Sequence, residues 1–157
     1  MREDKTNAMR ILDAHGVAYT CRFYDDNLAL SGVEVARTLG QDPDRVFKTL
    51  VTVGKSGEHY VFVIPVVFEL DLKKAASAVG EKSVAMVKSK ELLPLTGYVH
   101  GGCSPIGMKK RFVTVIDETA TLFDSIMCSG GRIGCQLELS VDDLRRAADA
   151  RIADVTA

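Results

Sequence analysis

The sequence predicts an α+β fold in which one domain is built on a mixed, curled β-sheet. The chain has 157 residues, within the range of about 100–200 that one hydrophobic core supports. Stretches with the two-residue period of strands are interrupted irregularly by short helical stretches, unlike a regular βαβ alternation. No internal repeat, low-complexity tract or flexible linker divides the sequence, so we expect one continuous domain over residues 1–157.

The first predicted elements are a helix and a strand. Asp4 or Thr6 can cap a helix whose apolar residues share one face, and Gly16 ends it. Residues 17–23 then alternate between apolar and polar positions, which is the pattern of a half-buried strand.

A second helix and a hairpin follow. Ser31 and Glu34 have the spacing of a capping box, and the helix that they begin ends at Gly40. Residues 46–53 and 59–67 are rich in β-branched and aromatic side chains, and the segment GKSG joins them. This arrangement predicts two paired antiparallel strands.

The middle of the chain predicts a short amphipathic helix over residues 71–79, ended by Gly80. Its inward face consists of Leu72, Ala75, Ala76 and Val79. A short strand over residues 83–87 and a helical turn capped by Ser89 come next.

The last third predicts three strands and a helix. The strands cover residues 112–116, 125–129 and 135–139, and Ser140 caps the final helix together with Asp143. Element boundaries from such patterns are accurate only to a few residues.

Composition excludes several classes of protein. The net charge of −1 gives no broad nucleic-acid-binding face, so any contact with RNA is expected to be small, such as a single-stranded end. The N-terminal segment has no continuous apolar region typical of a signal peptide, and no run of about 18 apolar residues predicts a membrane span. The four cysteines form no CxxC pair, which favours reduced thiols in the cytoplasm and no metal site.

Familiar catalytic motifs are also excluded. Residues 102–107 have the glycine spacing of a phosphate loop, but Met108 occupies the lysine position. Ser104 is a poor hydrolase nucleophile, because Pro105 lacks the backbone N–H that an oxyanion hole requires after the serine. The three histidines do not lie in a triad-like context.

Two glycine-rich segments, GGCSPIG at residues 101–107 and SGGRIG at 129–134, lie between predicted strands. Either segment alone is more simply an ordinary tight turn. Two of them in one small domain favour a shared pocket, because their backbone amides can stabilise an oxyanion during ester hydrolysis.

Lys48 is the most unusual charged residue in the sequence. It lies within an apolar strand between Val46 and Leu50, where an ammonium group requires a partner. The alternative is an edge-strand lysine that prevents aggregation or extends its ammonium to water. The spacing alone favours neither interpretation.

The sequence resembles the YbaK-like aminoacyl-tRNA deacylases, which are related to the editing domain of bacterial prolyl-tRNA synthetases. The motifs that carry the resemblance follow the family's order and span nearly the whole chain. They are VFKTL (46–50), LDLKK (70–74), TGY (96–98), GGCSPIG (101–107), KK (109–110), ID (116–117) and SGG (129–131).

The resemblance implies a sheet curled toward a barrel with flanking helices, and hydrolysis of the ester of mischarged tRNA such as cysteinyl-tRNA(Pro). Lys48, Gly101 and Gly102 are the implied catalytic residues, with Lys48 holding the terminal adenosine region. The implied substrate-binding residues are Tyr24, Ser31, Thr49, Ser104, Ser129, Gly130 and Gln136. No cofactor is implied. The implied partners are the tRNA 3′ acceptor end and prolyl-tRNA synthetase as a helper, without a membrane.

Two departures from the family pattern bear on specificity. Ser31 stands where some relatives have an aromatic residue, and Gln136 stands where some have an acidic one. We expect Gln136 to weaken a preference for cysteine, unless its side chain points to solvent. A binding module that captures an RNA 3′ end or a nucleotide-like ligand without turnover is the competing hypothesis, because no nucleophile is apparent.

Overall fold

The structure is a computed structural model that describes residues 5–27 and 30–157. These residues form five α-helices and eight β-strands. The helices are α1 (Asn7–Ala14), α2 (Gly32–Thr38), α3 (Leu72–Val79), α4 (Ser89–Thr96) and α5 (Val141–Ala147). The strands are β1 (Tyr19–Phe23), β2 (Phe47–Gly54), β3 (His59–Pro65), β4 (Val84–Met86), β5 (Val113–Asp117), β6 (Ser125–Ser129), β7 (Cys135–Ser140) and β8 (Ala150–Ala153). Two short 3₁₀ helices, Pro43–Arg45 and Glu118–Leu122, complete the regular structure.

The strands form two sheets. The larger has the order β4-β2-β3-β5-β8, in which β2 pairs antiparallel with β3 and β4, while β5 pairs parallel with β3 and β8. The smaller is antiparallel throughout, with the order β1-β7-β6. The α+β class and the mixed pairing are thereby confirmed. The described strands do not close into a barrel.

Strand β3 is buried on both faces, which explains its uninterrupted apolar sequence. Val61 and Val63 belong to the main core, which also contains α1, β6, β7 and α5. Phe62 and Ile64 belong to a second core under α3. The hairpin of β2 and β3 therefore anchors both cores, and it holds Lys48 in a fixed position.

Helix capping agrees closely with the sequence. The Thr6 side chain accepts a hydrogen bond from the Met9 N–H at the start of α1, while Asp4 lies outside the described residues. Ser31 and Glu34 form the predicted capping box of α2, with both reciprocal bonds present. Asp71 caps α3 by accepting from the Lys73 and Lys74 N–H groups, and Ser140 caps α5 by accepting from the Asp143 N–H.

Three details differ from the predictions. Ser89 is the first residue of α4 and not its cap, because Lys88 occupies the cap position and offers no side-chain acceptor. Leu72 has the helical spacing of the buried Ala75 and Ala76 but is 45% exposed, because it is the first residue of α3 and lies at the edge of the covered face. Strand β8 was not predicted, because four residues with one charged side chain give no clear alternation.

Within residues 5–27 and 30–157, no helix is both long and apolar enough to span a membrane.

Candidate functional site

The larger sheet has a gap beside β2, and this gap holds the main cavity. On the side of β2 opposite β3, β4 pairs with Thr52–Gly54 and the Val87 N–H donates to the Val51 carbonyl at 3.1 Å, and the next bridge is the single one between Val46 and Met127 of β6. Between these two points β2 has no strand partner on that side among the described residues. A cavity of about 460 Å³ opens there, lined by β2, the start of α2, α4 and the two glycine-rich loops.

Seven of the ten residues proposed from the sequence line this cavity. They are Tyr24, Ser31, Lys48, Thr49, Gly101, Ser129 and Gln136. Residues that are far apart in the chain therefore meet at one place. The other three, Gly102, Ser104 and Gly130, lie outside the lining.

Lys48 and Thr49 bring unsatisfied polar groups to the cavity. Lys48 is half-buried, and it has no hydrogen bond or ion pair within the described part of the chain. The Thr49 hydroxyl oxygen is buried, and it too has no partner among those residues. Because buried polar groups are nearly always hydrogen-bonded, this pair indicates a place where a ligand completes the bonding.

Gly101 and Gly102 have different surroundings. Gly101 lines the cavity with a positive φ of 88°, and its N–H has no acceptor within the described residues. Gly102 is buried and donates its N–H to the Val99 carbonyl at 3.0 Å. A Cβ atom at Gly102 would lie 2.9 Å from the Arg132 backbone. Gly102 thus lets the two glycine-rich loops pack together, and its N–H does not face a ligand.

Ser104 and Gly130 likewise support the loops. Ser104 is fully buried, and its hydroxyl accepts a hydrogen bond from the Ile106 N–H at 3.3 Å. Gly130 donates to the Cys135 carbonyl at 2.9 Å, and the Cys135 sulfur occupies the space that a Cβ atom would need. Both residues lie directly behind the cavity wall.

Gln136 is 3% exposed, so the alternative that it points to solvent is wrong. It lies opposite Ser129 in the pairing of β7 with β6, and both residues line the cavity. Its amide exchanges two hydrogen bonds with the amide of Gln41. A neutral polar group therefore forms this part of the wall.

The cavity also contains thiols, but these are unsuited to nucleophilic attack. Burial raises the pKa values of Cys103, Cys128 and Cys135 to about 12 each. At neutral pH the three groups stay protonated, whereas the thiolate is the reactive form. The Cys21 and Cys135 sulfurs lie 3.4 Å apart as free thiols.

Two of the three serine hydroxyls in the lining, those of Ser31 and Ser129, accept hydrogen bonds from the backbone. Ser31 accepts from the Glu34 N–H as a helix cap, and Ser129 accepts from the Gly131 N–H at 3.1 Å. Neither hydroxyl bonds to a histidine or carboxylate that would act as a base. Within the described residues, no group of three His, Cys, Asp or Glu side chains is arranged to bind a metal ion.

Two residues of the site were missed by sequence reasoning. His100 lines the cavity next to Gly101, although the histidines were set aside together for lacking a triad context. Its position directly before the glycine loop is a signal that could have identified it. Gln41 has no such signal, because only the fold brings it to Gln136, 95 residues away in the sequence.

Comparisons with known proteins identify a family for this chain. Residues 28–147 match the aminoacyl-tRNA editing domain family. A relative from Enterococcus faecalis, EbsC, is 44% identical over 98% of this chain and 94% of its own length, and is named as a candidate Cys-tRNA(Pro)/Cys-tRNA(Cys) deacylase. A proline–tRNA ligase from Pelobacter propionicus is 33% identical over 54% of this chain and 15% of the ligase.

Two solved structures share the fold. A crystal structure described as a candidate trans-editing enzyme for prolyl-tRNA synthetase has a TM-score of 0.83 and 24% identity, covering 99% of each chain. A crystal structure of a protein described as hypothetical has a TM-score of 0.87 and 26% identity, covering 97% of this chain and all of the other.

Proposed function

This chain belongs to the aminoacyl-tRNA editing domain family, and we propose that it acts as one domain over residues 1–157 to deacylate mischarged tRNA. It is a trans-editing deacylase that hydrolyses the ester between tRNA and a wrongly attached amino acid. The substrate that we favour is Cys-tRNA(Pro) or a tRNA carrying a similarly small amino acid, in keeping with the name of the E. faecalis relative.

The observation that carries the proposal is Lys48, which lies in the gap of the larger sheet with no partner among residues 5–27 and 30–157. An ammonium group in such a place binds an anionic or strongly polar ligand through charge-assisted hydrogen bonds. A cavity of about 460 Å³ is in the range of small-molecule sites, so it accommodates a terminal nucleotide with its amino acid and not an RNA duplex. We place the tRNA 3′ acceptor end there, with Lys48 and Thr49 holding the terminal adenosine.

The aminoacyl group then lies toward Gly101, Ser129 and Gln136. When water adds to the ester carbonyl and passes its proton to the leaving ribose oxygen, negative charge develops on the carbonyl oxygen. We assign the stabilisation of this charge to the N–H of Gly101, which has no acceptor among the described residues, and one such donor contributes about 3–4 kcal/mol in other hydrolases. Collapse of the tetrahedral intermediate releases the amino acid and leaves the ribose hydroxyl on the tRNA.

This scheme needs no protein nucleophile. The ester of an aminoacyl-tRNA is already activated, and holding it beside an attacking group contributes much of the rate. The protonated thiols of Cys103, Cys128 and Cys135 shape the pocket without forming an acyl-enzyme. No cofactor takes part in the proposed reaction.

We also propose cytoplasmic action and prolyl-tRNA synthetase as a helper. With a net charge of −1, the affinity of the chain for tRNA alone is modest and depends on salt, so a partner that delivers the tRNA is useful. The relation of the two sheets supports a curled arrangement, in which the Val46–Met127 bridge joins them along one side of the cavity.

A panel of aminoacyl-tRNAs tests the function. Radiolabelled cysteinyl-, alanyl-, seryl- and prolyl-tRNA(Pro) are incubated with the protein, and the surviving ester is measured over time. We expect rapid loss of the mischarged species and survival of prolyl-tRNA(Pro). Equal decay of all four tRNAs with and without the protein contradicts the proposed activity.

The absence of a nucleophile–base pair in the described cavity lining also fits a binding module for an RNA 3′ end or a nucleotide-like ligand. The same panel separates the two functions. A binding module retains the aminoacyl-tRNA on a filter and does not increase the rate of ester hydrolysis. A deacylase releases free amino acid.

A further inference from the structure

The Gln136 side chain, which lines the cavity, is hydrogen-bonded to Gln41, a residue outside the lining. The Gln41 side chain donates from Nε2 to Oε1 of Gln136 at 2.6 Å, and Gln136 donates from Nε2 to Oε1 of Gln41 at 2.9 Å. Each amide thus donates one hydrogen bond and accepts one. Gln41 does not line the cavity, so it acts on a ligand only through Gln136.

Both members of the pair are held in place by the fold. Gln41 follows α2, and its backbone N–H donates to the Ala36 carbonyl at 2.9 Å. Gln136 lies in the middle strand of the smaller sheet, between Arg22 of β1 and Ser129 of β6. The Arg22 guanidinium is engaged by Glu138 at 2.6 Å, so it is not needed to satisfy Gln136.

Pairing with Gln41 leaves neither the nitrogen nor the oxygen of the Gln136 amide without a hydrogen-bond partner. An amide has two N–H donors and two acceptor lone pairs on its oxygen, and Gln41 satisfies one of each. A buried polar group that loses its partner carries a penalty of about 1–3 kcal/mol. A site built to bond a hydroxyl therefore discriminates against a methyl group, whereas a wall that is already satisfied tolerates both.

We propose that Gln41 is a positioning residue that sets amino-acid selectivity: by satisfying the Gln136 amide, it lets the cavity accept alanyl as readily as seryl or cysteinyl groups. The inference rests on the proposed function, because it places the aminoacyl side chain against Gln136. The substrate class is then mischarged tRNA with a small uncharged side chain, whether polar or apolar.

The test compares seryl and alanyl ligands on variants of Gln41. Gln41→Met keeps the length of the side chain but removes both hydrogen bonds to Gln136. Thr38→Met is the matched control, because Thr38 is an exposed residue at the end of α2 that makes no contact with Gln136. The ligands are 3′-amino-3′-deoxyadenosine carrying serine or alanine in a stable amide, with Kd measured by calorimetry, and kcat/KM is measured on the two aminoacyl-tRNAs.

We expect wild type and Thr38→Met to bind the two analogues with Kd values within about threefold of each other. Gln41→Met shifts the ratio about five- to tenfold in favour of serine, since one unsatisfied neutral hydrogen bond corresponds to a change of this size. The same shift is expected in kcat/KM. If Gln41 only fastened α2 to the sheet, its substitution would weaken the binding of both analogues equally. An unchanged ratio of the two Kd values in Gln41→Met therefore overturns the inference.

A second variant covers the case in which Gln41→Met does not fold. Gln41→Glu still accepts from the Gln136 N–H but donates nothing back, so we expect a smaller shift of about two- to threefold toward serine. Both analogues carry the same α-ammonium, and the added charge therefore cancels in the ratio. An unchanged ratio here also overturns the inference.

The binding readout separates this inference from the proposed function. Wild type that binds both analogues but does not hydrolyse either tRNA contradicts the deacylase, while the Kd ratios still decide the role of Gln41. Wild type that binds neither analogue overturns the proposed site and the inference with it.

Discussion

Two half-buried charged residues, Lys48 on β2 and Glu138 on β7, have opposite surroundings. Glu138 accepts hydrogen bonds from Arg22 at 2.6 Å, from Arg45 at 3.1 Å and from the Ser125 hydroxyl at 2.8 Å. Lys48 makes no such bond within the described part of the chain. Both lie on apolar strands, so the sequence around them looks alike.

The difference separates groups that hold the fold from groups that serve a ligand. The Ser125 hydroxyl, followed by Arg22, holds the pKa of the Glu138 carboxyl below its ordinary value, which shows that the ionised form is stabilised by the folded chain. Lys48 has no such stabilising partner among the described residues. We infer that Lys48 serves to bind a ligand and not to hold the fold.

The largest expected effect is on activity, at Lys48. Lys48→Met removes the ammonium while retaining most of the side-chain volume, and we expect kcat/KM to fall at least about 100-fold. The free energy of unfolding should stay within about 1 kcal/mol of wild type, because no internal bond is lost. Lys55→Met, in the exposed turn after β2, is the control and should keep full activity. Normal turnover by folded Lys48→Met would show that the lysine is structural.

The next effect is on stability, at Glu138. Glu138→Gln weakens bonds to two guanidinium groups, and we expect a loss of about 2 kcal/mol in the free energy of unfolding by urea. The exposed Lys74–Asp154 ion pair provides the control, since Asp154→Asn should cost below about 1 kcal/mol. Equal losses of unfolding free energy in Glu138→Gln and Asp154→Asn would show that the bonds of Glu138 do not hold the fold more strongly than an exposed ion pair.

Acid should reduce that stability difference. The pKa of Glu138 is lower in the folded chain than its ordinary value of 4.5, so the folded state binds its proton less readily than the unfolded state. The stabilisation is therefore complete above about pH 4.5 and disappears as the pH falls through the folded pKa. Urea titrations of wild type and Glu138→Gln should converge below this pH. A constant difference down to pH 3 would contradict the assigned cause.

The smallest expected effect is the change in deacylation rate on treatment with a metal chelator. In the proposed reaction a backbone N–H stabilises the developing charge and Lys48 holds the terminal adenosine, so dialysis against EDTA should leave the deacylation rate within about twofold. The rate is measured before dialysis, after it, and after addition of Zn²⁺ or Mg²⁺. A loss that either ion restores would show that a metal ion participates.

The sequence predicted the elements well because their signals are local. A capping box such as Ser31 with Glu34, or the cap at Ser140, lies within four residues, and the hairpin of β2 and β3 is joined by a short turn. The division of the strands into two sheets depends on contacts between distant segments. Neither the pairing of β1 with β7 nor the gap beside β2 leaves a mark on the local sequence.

The site was predicted less evenly. Lys48 was singled out by its apolar flanks, whereas Gly102 and Gly130 shared the glycine signal of Gly101 but serve the packing of the loops. A glycine shows that the backbone comes close to something, and the sequence does not show whether that neighbour is a ligand or another loop. Gln41 could not be found at all, because its importance lies in a partner on another strand.

The pairing of β1 with β7 has a consequence for the order in which the protein folds. Cys21 and Cys135, which meet across these strands, are 114 residues apart in the sequence. The ribosome releases the hairpin of β2 and β3, with Lys48, long before it has made β7. Closing so long a loop is entropically unfavourable until the remaining contacts exist. The hairpin that carries Lys48 can therefore pair in a nascent chain that has no wall at Ser129 and Gln136, and the proposed selectivity for the amino acid is acquired last.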